Sequence, residues 1–313
     1  MPGFAIESGA MERRTFLSAA GAAMSASAAT ALPIIDTHFH LFDPRRPQGV
    51  PYPKTPNPQP FLPKDFRESA IPLGIVGGIK VEASPWVEDN LWVLMIIEDE
   101  PMIVGMVGNL DPLKPEFREY LDRYRKNKLF LGIRYGNIWE GHNIVAAVER
   151  QDFIDNMKAF AQTGLTFEVA NPRLDLIEAT RKLKEKVPEL RVVLGHLQAL
   201  ALPTDAAVMK RYAENLKELR RGGAYVKVSG VPGARPGMPG PPSEAVYKPV
   251  LDLFWDTFGE DYLVFAGRNK TALEILKNYF EAKGHGAAEK FFWKNSIPAF
   301  RWVKRLASQP QLS

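Results

Sequence analysis

The stretch Ile34-Ile35-Asp36-Thr37-His38-Phe39-His40 decides how this chain is read. It has the composition of a short buried strand, and it ends in two histidines one residue apart. Alternate side chains of a strand share a face, so His38 and His40 project together. Two imidazoles converging at a strand end make half of a metal site, or a paired acid and anion-binding group. A His-x-His pair is weak by itself. Its place on the first strand of a repeating strand–helix chain gives it weight.

Downstream, apolar runs alternate with amphipathic ones. Candidate strands cover 33–38, 75–82, 102–108, 129–134, 165–170, 191–196, 224–229 and 262–267. Most are near-continuous apolar runs, as expected of strands buried on both faces of a parallel sheet. Helical patterns lie between them at 87–99, 115–127, 151–163, 173–187, 206–221, 245–258 and 271–283, with a last helix expected at 296–307 across the barrel exterior. This alternation predicts an α/β fold, a single-domain (β/α)8 TIM-type barrel. An open doubly wound sheet is the runner-up, but no Gly-rich loop follows the first strand. Two irregular segments, the proline-rich 43–63 and the Gly/Pro-rich 230–243, follow strands one and seven, where such barrels carry pocket walls and lids.

The first 31 residues read as a separate segment. Arg13-Arg14 before Thr15-Phe16-Leu17, an Ala-rich run, and small residues at Ala26-Ser27-Ala28 and Ala29-Thr30-Ala31 have the order of an export signal. The paired arginines resemble a twin-arginine signal. The expectation is cleavage near 28–31, a mature barrel over 32–313 and a periplasmic location. The apolar run is too short and too rich in Ala and Ser for a membrane span.

Composition narrows the function classes. The 313 residues carry a net charge of +4 with Lys and Arg scattered among acids, which argues against nucleic-acid binding. The absence of cysteine excludes disulfides, thiolate ligands and a cysteine nucleophile. A homo-oligomer is compatible with this composition.

Chemistry in such a barrel gathers at the C-terminal ends of strands. There the sequence places His38 and His40, Glu82, Arg134, Glu168, His196, Lys227, Arg268 and Asn269. Three of the five histidines fall at strand ends. His142 and His285 read as surface residues.

The ordered motifs Ile35-Asp36-Thr37-His38-Phe39-His40, Leu131-Gly132-Ile133-Arg134, Val193-Leu194-Gly195-His196, Val226-Lys227-Val228-Ser229-Gly230 and Asn295-Ser296-Ile297-Pro298 resemble the amidohydrolase-related family. The likeness is to its lactonase branch, which includes 2-pyrone-4,6-dicarboxylate lactonase and sugar lactonases. The resemblance implies hydrolysis of a lactone or ester bond in a small carboxylated substrate. It implies catalytic roles for His38, His40 and His196 and substrate binding by Arg134, and it aligns Lys227 with a family lysine; the strand-end positions of Glu82, as a catalytic residue, and of Lys227, Arg268 and Asn269, as substrate-binding residues, complete the candidate set. It also implies either no cofactor or one divalent metal such as zinc on His38, His40 and His196.

Strand eight departs from the family. Family members end it with an aspartate that activates water, whereas this chain has Ala266-Gly267-Arg268-Asn269. An arginine can neither accept that proton nor ligate a cation. Four readings follow: hydrolysis with Glu82 or Glu168 as base, an inactive member that binds an anionic ligand, an altered member in which Arg268 binds a carboxylate and a histidine moves a proton as in an isomerase, or an accessory subunit of an exported complex.

Overall fold

Eight parallel strands, hydrogen-bonded in sequence order, form the centre of the protein. The computed structural model describes residues 32–170, 173–195, 203–229 and 243–312. The strands are β1 (Ile34–Phe39), β2 (Ile75–Val81), β3 (Ile103–Gly108), β4 (Phe130–Arg134), β5 (Thr166–Ala170), β6 (Arg191–Gly195), β7 (Tyr225–Ser229) and β8 (Leu263–Ala266). At the seam, the Thr37 hydroxyl donates to the Phe265 carbonyl over 2.7 Å and returns the last strand to the first. This is the predicted (β/α)8 barrel.

The helices are α1 (Pro63–Ala70), α2 (Glu88–Ile97), α3 (Phe117–Tyr124), α4 (Ile144–Ala147), α5 (Gln151–Gln162), α6 (Leu174–Lys186), α7 (Ala206–Arg221), α8 (Glu244–Phe258), α9 (Lys270–Ala282), α10 (His285–Glu289) and α11 (Ser296–Phe300). Their apolar faces and the outward strand side chains make one continuous core. A second, smaller cluster fills the barrel with Ile35, Ile79, Val104, Leu131, Val193 and Val264.

Two expectations are corrected. The proline-rich segment after β1 ends in α1, which was not predicted. Pro63 occupies its first turn, where no backbone N–H is needed, and the Asp65 carboxylate accepts from the Leu62 N–H over 2.7 Å. Phe66 of α1 stacks on Phe39 at 3.8 Å. A Cβ on Gly78 would run into both rings, so β2 keeps a glycine there.

The helix expected at 296–307 stops at Phe300, and the segment lies beneath the barrel. Arg301 takes a left-handed φ of 56° and ends it. Ala299, Phe300 and Trp302 join the cluster that fills the barrel. Arg305 then donates to the carbonyls of Ile97, Glu100 and Ile103, and Gln309 to those of Val76 and Pro101.

Residues 1–31, expected to be an export signal, and most of the loop 230–243 lie outside the described residues. Among the described residues, Leu32 onward forms one compact unit, and no helix is long and apolar enough to cross a membrane.

Candidate active site

The geometry of the histidine pair begins with Asp36. The register of β1 on β2 shifts between Asp36 and Phe39. Asp36 Oδ1 accepts the His38 backbone N–H over 3.0 Å and holds that irregularity. Beyond it the imidazoles meet edge to face, with Nε2 of His38 3.2 Å from Nε2 of His40. His40 Nδ1 lies 3.1 Å from the Val81 carbonyl and 3.0 Å from the Glu82 carbonyl. Carbonyls only accept, so His40 Nδ1 carries a proton, and its Nε2 is the nitrogen turned to His38. His38 Nδ1 stands 3.6 Å from Glu168 Oε1. From the proline-rich loop, Tyr52 brings its ring within 4.6 Å of His40.

Two buried ion pairs and one partly exposed pair surround these rings, each joining the ends of different strands. Arg134 Nε donates to Glu82 Oε1 over 2.6 Å, Arg134 Nη2 reaches the Glu82 carbonyl, and the Trp139 indole fills Glu82 Oε2 at 2.8 Å. Lys227 Nζ donates to Glu168 Oε2 over 2.6 Å and to the Thr37 carbonyl over 2.7 Å. Arg268 Nη1 donates to Asp36 Oδ2 over 2.8 Å, while the Gly267 N–H takes Oδ1. Burial pushes the Lys227 ammonium below its ordinary pKa, and the Glu168 carboxylate works against that shift.

The mouth is therefore charge-balanced, not simply basic. Each predicted cation has a buried carboxylate partner, because an unpaired charge at these positions would be costly. Glu82 is saturated by a guanidinium and an indole, which suits it to holding Arg134 in place. Arg268 faces Asp36 and lies over the rings of Phe39, Phe61 and Phe66 at 5.2–5.3 Å. Asn269 caps α9, its side-chain oxygen accepting from the Ala272 N–H at 3.1 Å. Phe300 sits under Lys227, 5.0 Å from its ammonium, and floors the site.

The structure thus brings together His38, His40, Glu82, Arg134, Glu168 and Lys227, and it places Arg268 and Asn269 at the seam beside them. His196 follows β6 directly and lies outside the described residues. His285 begins α10 away from the mouth. His142 is half-buried and not a plain surface residue: its ring lies 4.6 Å from that of Tyr135, and burial pushes its pKa down. Among the described residues no group of three or more His, Asp or Glu is arranged to hold a metal. The two Nε2 atoms nevertheless fit as a partial donor set. Tetrahedral zinc with nitrogens at roughly 2.0–2.1 Å sets a pair of them about 3.4 Å apart, close to the observed spacing, and carbonyls behind His40 fix its tautomer as metal-bound imidazoles require.

Sequence reading missed Trp139, Asp36 and Tyr52. Asp36 sits two residues before His38 in the quoted motif and was the one with a signal. Trp139 and Tyr52 lie in loops without periodicity.

An amidohydrolase family model matches residues 35–267. No curated protein matches the sequence. Among solved structures, an amidohydrolase from Burkholderia multivorans with bound zinc superposes with a TM-score of 0.72 at 17% identity, covering 86% of this chain and 99% of that one. A probable 2-pyrone-4,6-dicarboxylic acid hydrolase from Acinetobacter baumannii, with citric acid bound, gives 0.67 at 15% identity, covering 86% and 99%. Amidohydrolase 2 from Bifidobacterium longum subsp. infantis gives 0.58 at 23%, covering 87% and 100%. At these identities the likeness is one of fold.

Proposed function

The chain belongs to the amidohydrolase family, and from that premise we propose that it hydrolyses a lactone or ester bond in a small carboxylated molecule. Family membership supports hydrolase activity; the bond and the substrate are our reading. The observation that carries it is the histidine pair, with Nε2 atoms 3.2 Å apart and each Nδ1 turned to a fixed partner. Imidazole is the side chain suited to accept and return a proton near neutral pH.

With no metal on its Nε2, His38 takes a proton from the attacking water, and Glu168, held by Lys227, faces its far nitrogen and steadies the imidazolium. His40 faces the same point, held by the Val81 and Glu82 carbonyls. Arg134, with Nε and Nη2 turned to Glu82, offers its remaining edge to a substrate carboxylate. Glu82 and Lys227 act as positioning residues. Arg268 and Asn269 set the end of β8. His38 and His40, with His196, would hold a divalent metal such as zinc, which supplies Lewis-acid polarisation of the carbonyl and a more acidic water when bound. The bound zinc of the Burkholderia multivorans protein and the dicarboxylate activity ascribed to the Acinetobacter baumannii protein support this reading.

One observation favours a second reading, anion binding without turnover: Arg268 stands where the family resemblance places an aspartate, and its charge is directed to Asp36. The test compares 2-pyrone-4,6-dicarboxylate with the uncharged lactone dihydrocoumarin. Faster hydrolysis of the dicarboxylate supports the proposal. Saturable binding of the dicarboxylate without turnover of either lactone supports the second reading.

We also propose export to the periplasm, on Arg13-Arg14 and the small residues before Leu32. N-terminal sequencing of periplasmic protein should begin near residues 29–32, and full-length protein confined to the cytoplasm would contradict it.

A further inference from the structure

Beside the histidine pair, on the same face of the barrel, the loops after β2, β3 and β4 and helix α3 enclose a groove of about 490 Å³. That volume lies within the range of small-molecule sites, roughly 300–1,000 Å³. Trp86, Phe117 and Tyr120 supply its aromatic walls. Four carboxylates line it, from Glu88, Asp111, Glu116 and Glu140, and none of them is in an ion pair among the described residues. Lys114 is the fixed cation lining it, because burial keeps His142 toward its neutral form.

Asn109 provides an independent sign that the groove takes a ligand. It lines the groove and is 3% exposed. Its side-chain N–H donates to the Ser84 carbonyl over 3.0 Å, and its backbone exchanges hydrogen bonds with the Asn90 amide. Its Oδ1 is a buried acceptor with no hydrogen-bond partner among the described residues. A buried acceptor left unfilled is costly, so such an atom marks a place where a donor belongs.

We propose that this groove is a second binding site, separate from the histidine pair, for a protonated aromatic amine. The ring stacks on Trp86 or Tyr120, whose faces also attract a cation. The ammonium meets the carboxylates of Asp111 and Glu140. A carboxylated molecule is repelled by the four acids, so the occupant differs in charge from the substrate at the mouth. The two places are joined through the chain: Glu140 follows Trp139, whose indole holds Glu82, and Glu82 holds Arg134.

Isothermal titration of the full chain with tryptamine at low ionic strength tests the assignment, with indole-3-acetate as the oppositely charged probe. The expected result is saturable one-to-one binding of tryptamine and at least about tenfold weaker binding of indole-3-acetate. The Asp111→Asn/Glu140→Gln variant should bind about fivefold more weakly or worse at an unchanged melting temperature. Binding should persist in His40→Ala, which separates this site from the mouth and from the hydrolase reading. Absence of saturable heat with tryptamine, equal binding of the two probes, or loss of binding in His40→Ala alone would overturn the assignment.

Discussion

Arg268 Nη1 donates to Asp36 Oδ2 over 2.8 Å, across the seam between the end of the last strand and the first. Asp36 is fully buried, and the Arg268 side chain is 21% exposed beneath Phe39, Phe61 and Phe66. The charge reversal in strand eight is thus absorbed by a structural pair that also holds the His38 backbone. Arg268→Ala should cost about 2 kcal/mol, less than for a fully enclosed pair because the arginine is partly solvated. Arg268→Asp, which restores the residue type of the family resemblance, should cost more, since two carboxylates would then face each other. Urea denaturation measures both, and an Arg268→Asp variant as stable as the parent would contradict this account.

Lys227 and Glu168 form a fully enclosed pair behind His38. Lys227→Met should destabilise by about 3–5 kcal/mol, because it leaves the Glu168 carboxylate buried alone. Adding Glu168→Leu should recover most of that loss while leaving hydrolysis impaired. Stability of the three proteins, measured with activity, separates the structural part of the pair from its effect on His38.

Lys80 is 2% exposed on β2, and burial lowers its pKa from 10.5 to about 8, with Glu82 and Asp89 opposing the shift. Between those values the unfolded chain keeps a proton that the folded chain has released. Stability attributable to this residue therefore rises with pH across that window. Lys80→Met should stabilise the protein at neutral pH by on the order of 3 kcal/mol. It should also flatten the rise between pH 8 and 10.5. An unchanged pH slope in the variant would show that Lys80 is not the source.

The barrel was legible because its strands are short apolar runs at regular intervals and the helices between them keep their periodicity. Helix α1 was hidden by the prolines before it, although Pro63 and Asp65 are the residues that start it. The 296–307 segment carries helix-forming residues, but the side chains of Arg305 and the following Gln309 reach carbonyls at the barrel bottom, a demand that local pattern does not encode. The convergence of His38 and His40 follows from strand alternation, and the structure keeps it through an irregularity that Asp36 supports. The partners of the cations were less legible. Glu82 and Arg134 are 52 residues apart, Lys227 and Glu168 59, and Arg268 and Asp36 232. Only the closing of the barrel brings such distant charges together, so a cationic residue at a strand end reads as a ligand for substrate until its carboxylate is seen.

The most direct test of the hydrolase reading follows proton release from 2-pyrone-4,6-dicarboxylate by the parent protein and by His38→Ala and His40→Ala, with folding verified by circular dichroism. The account predicts steady hydrolysis by the parent and a loss of about 100-fold or more in kcat/KM for each folded variant. Hydrolysis by the variants at the parent rate, or none by the parent while it binds the dicarboxylate, would contradict it.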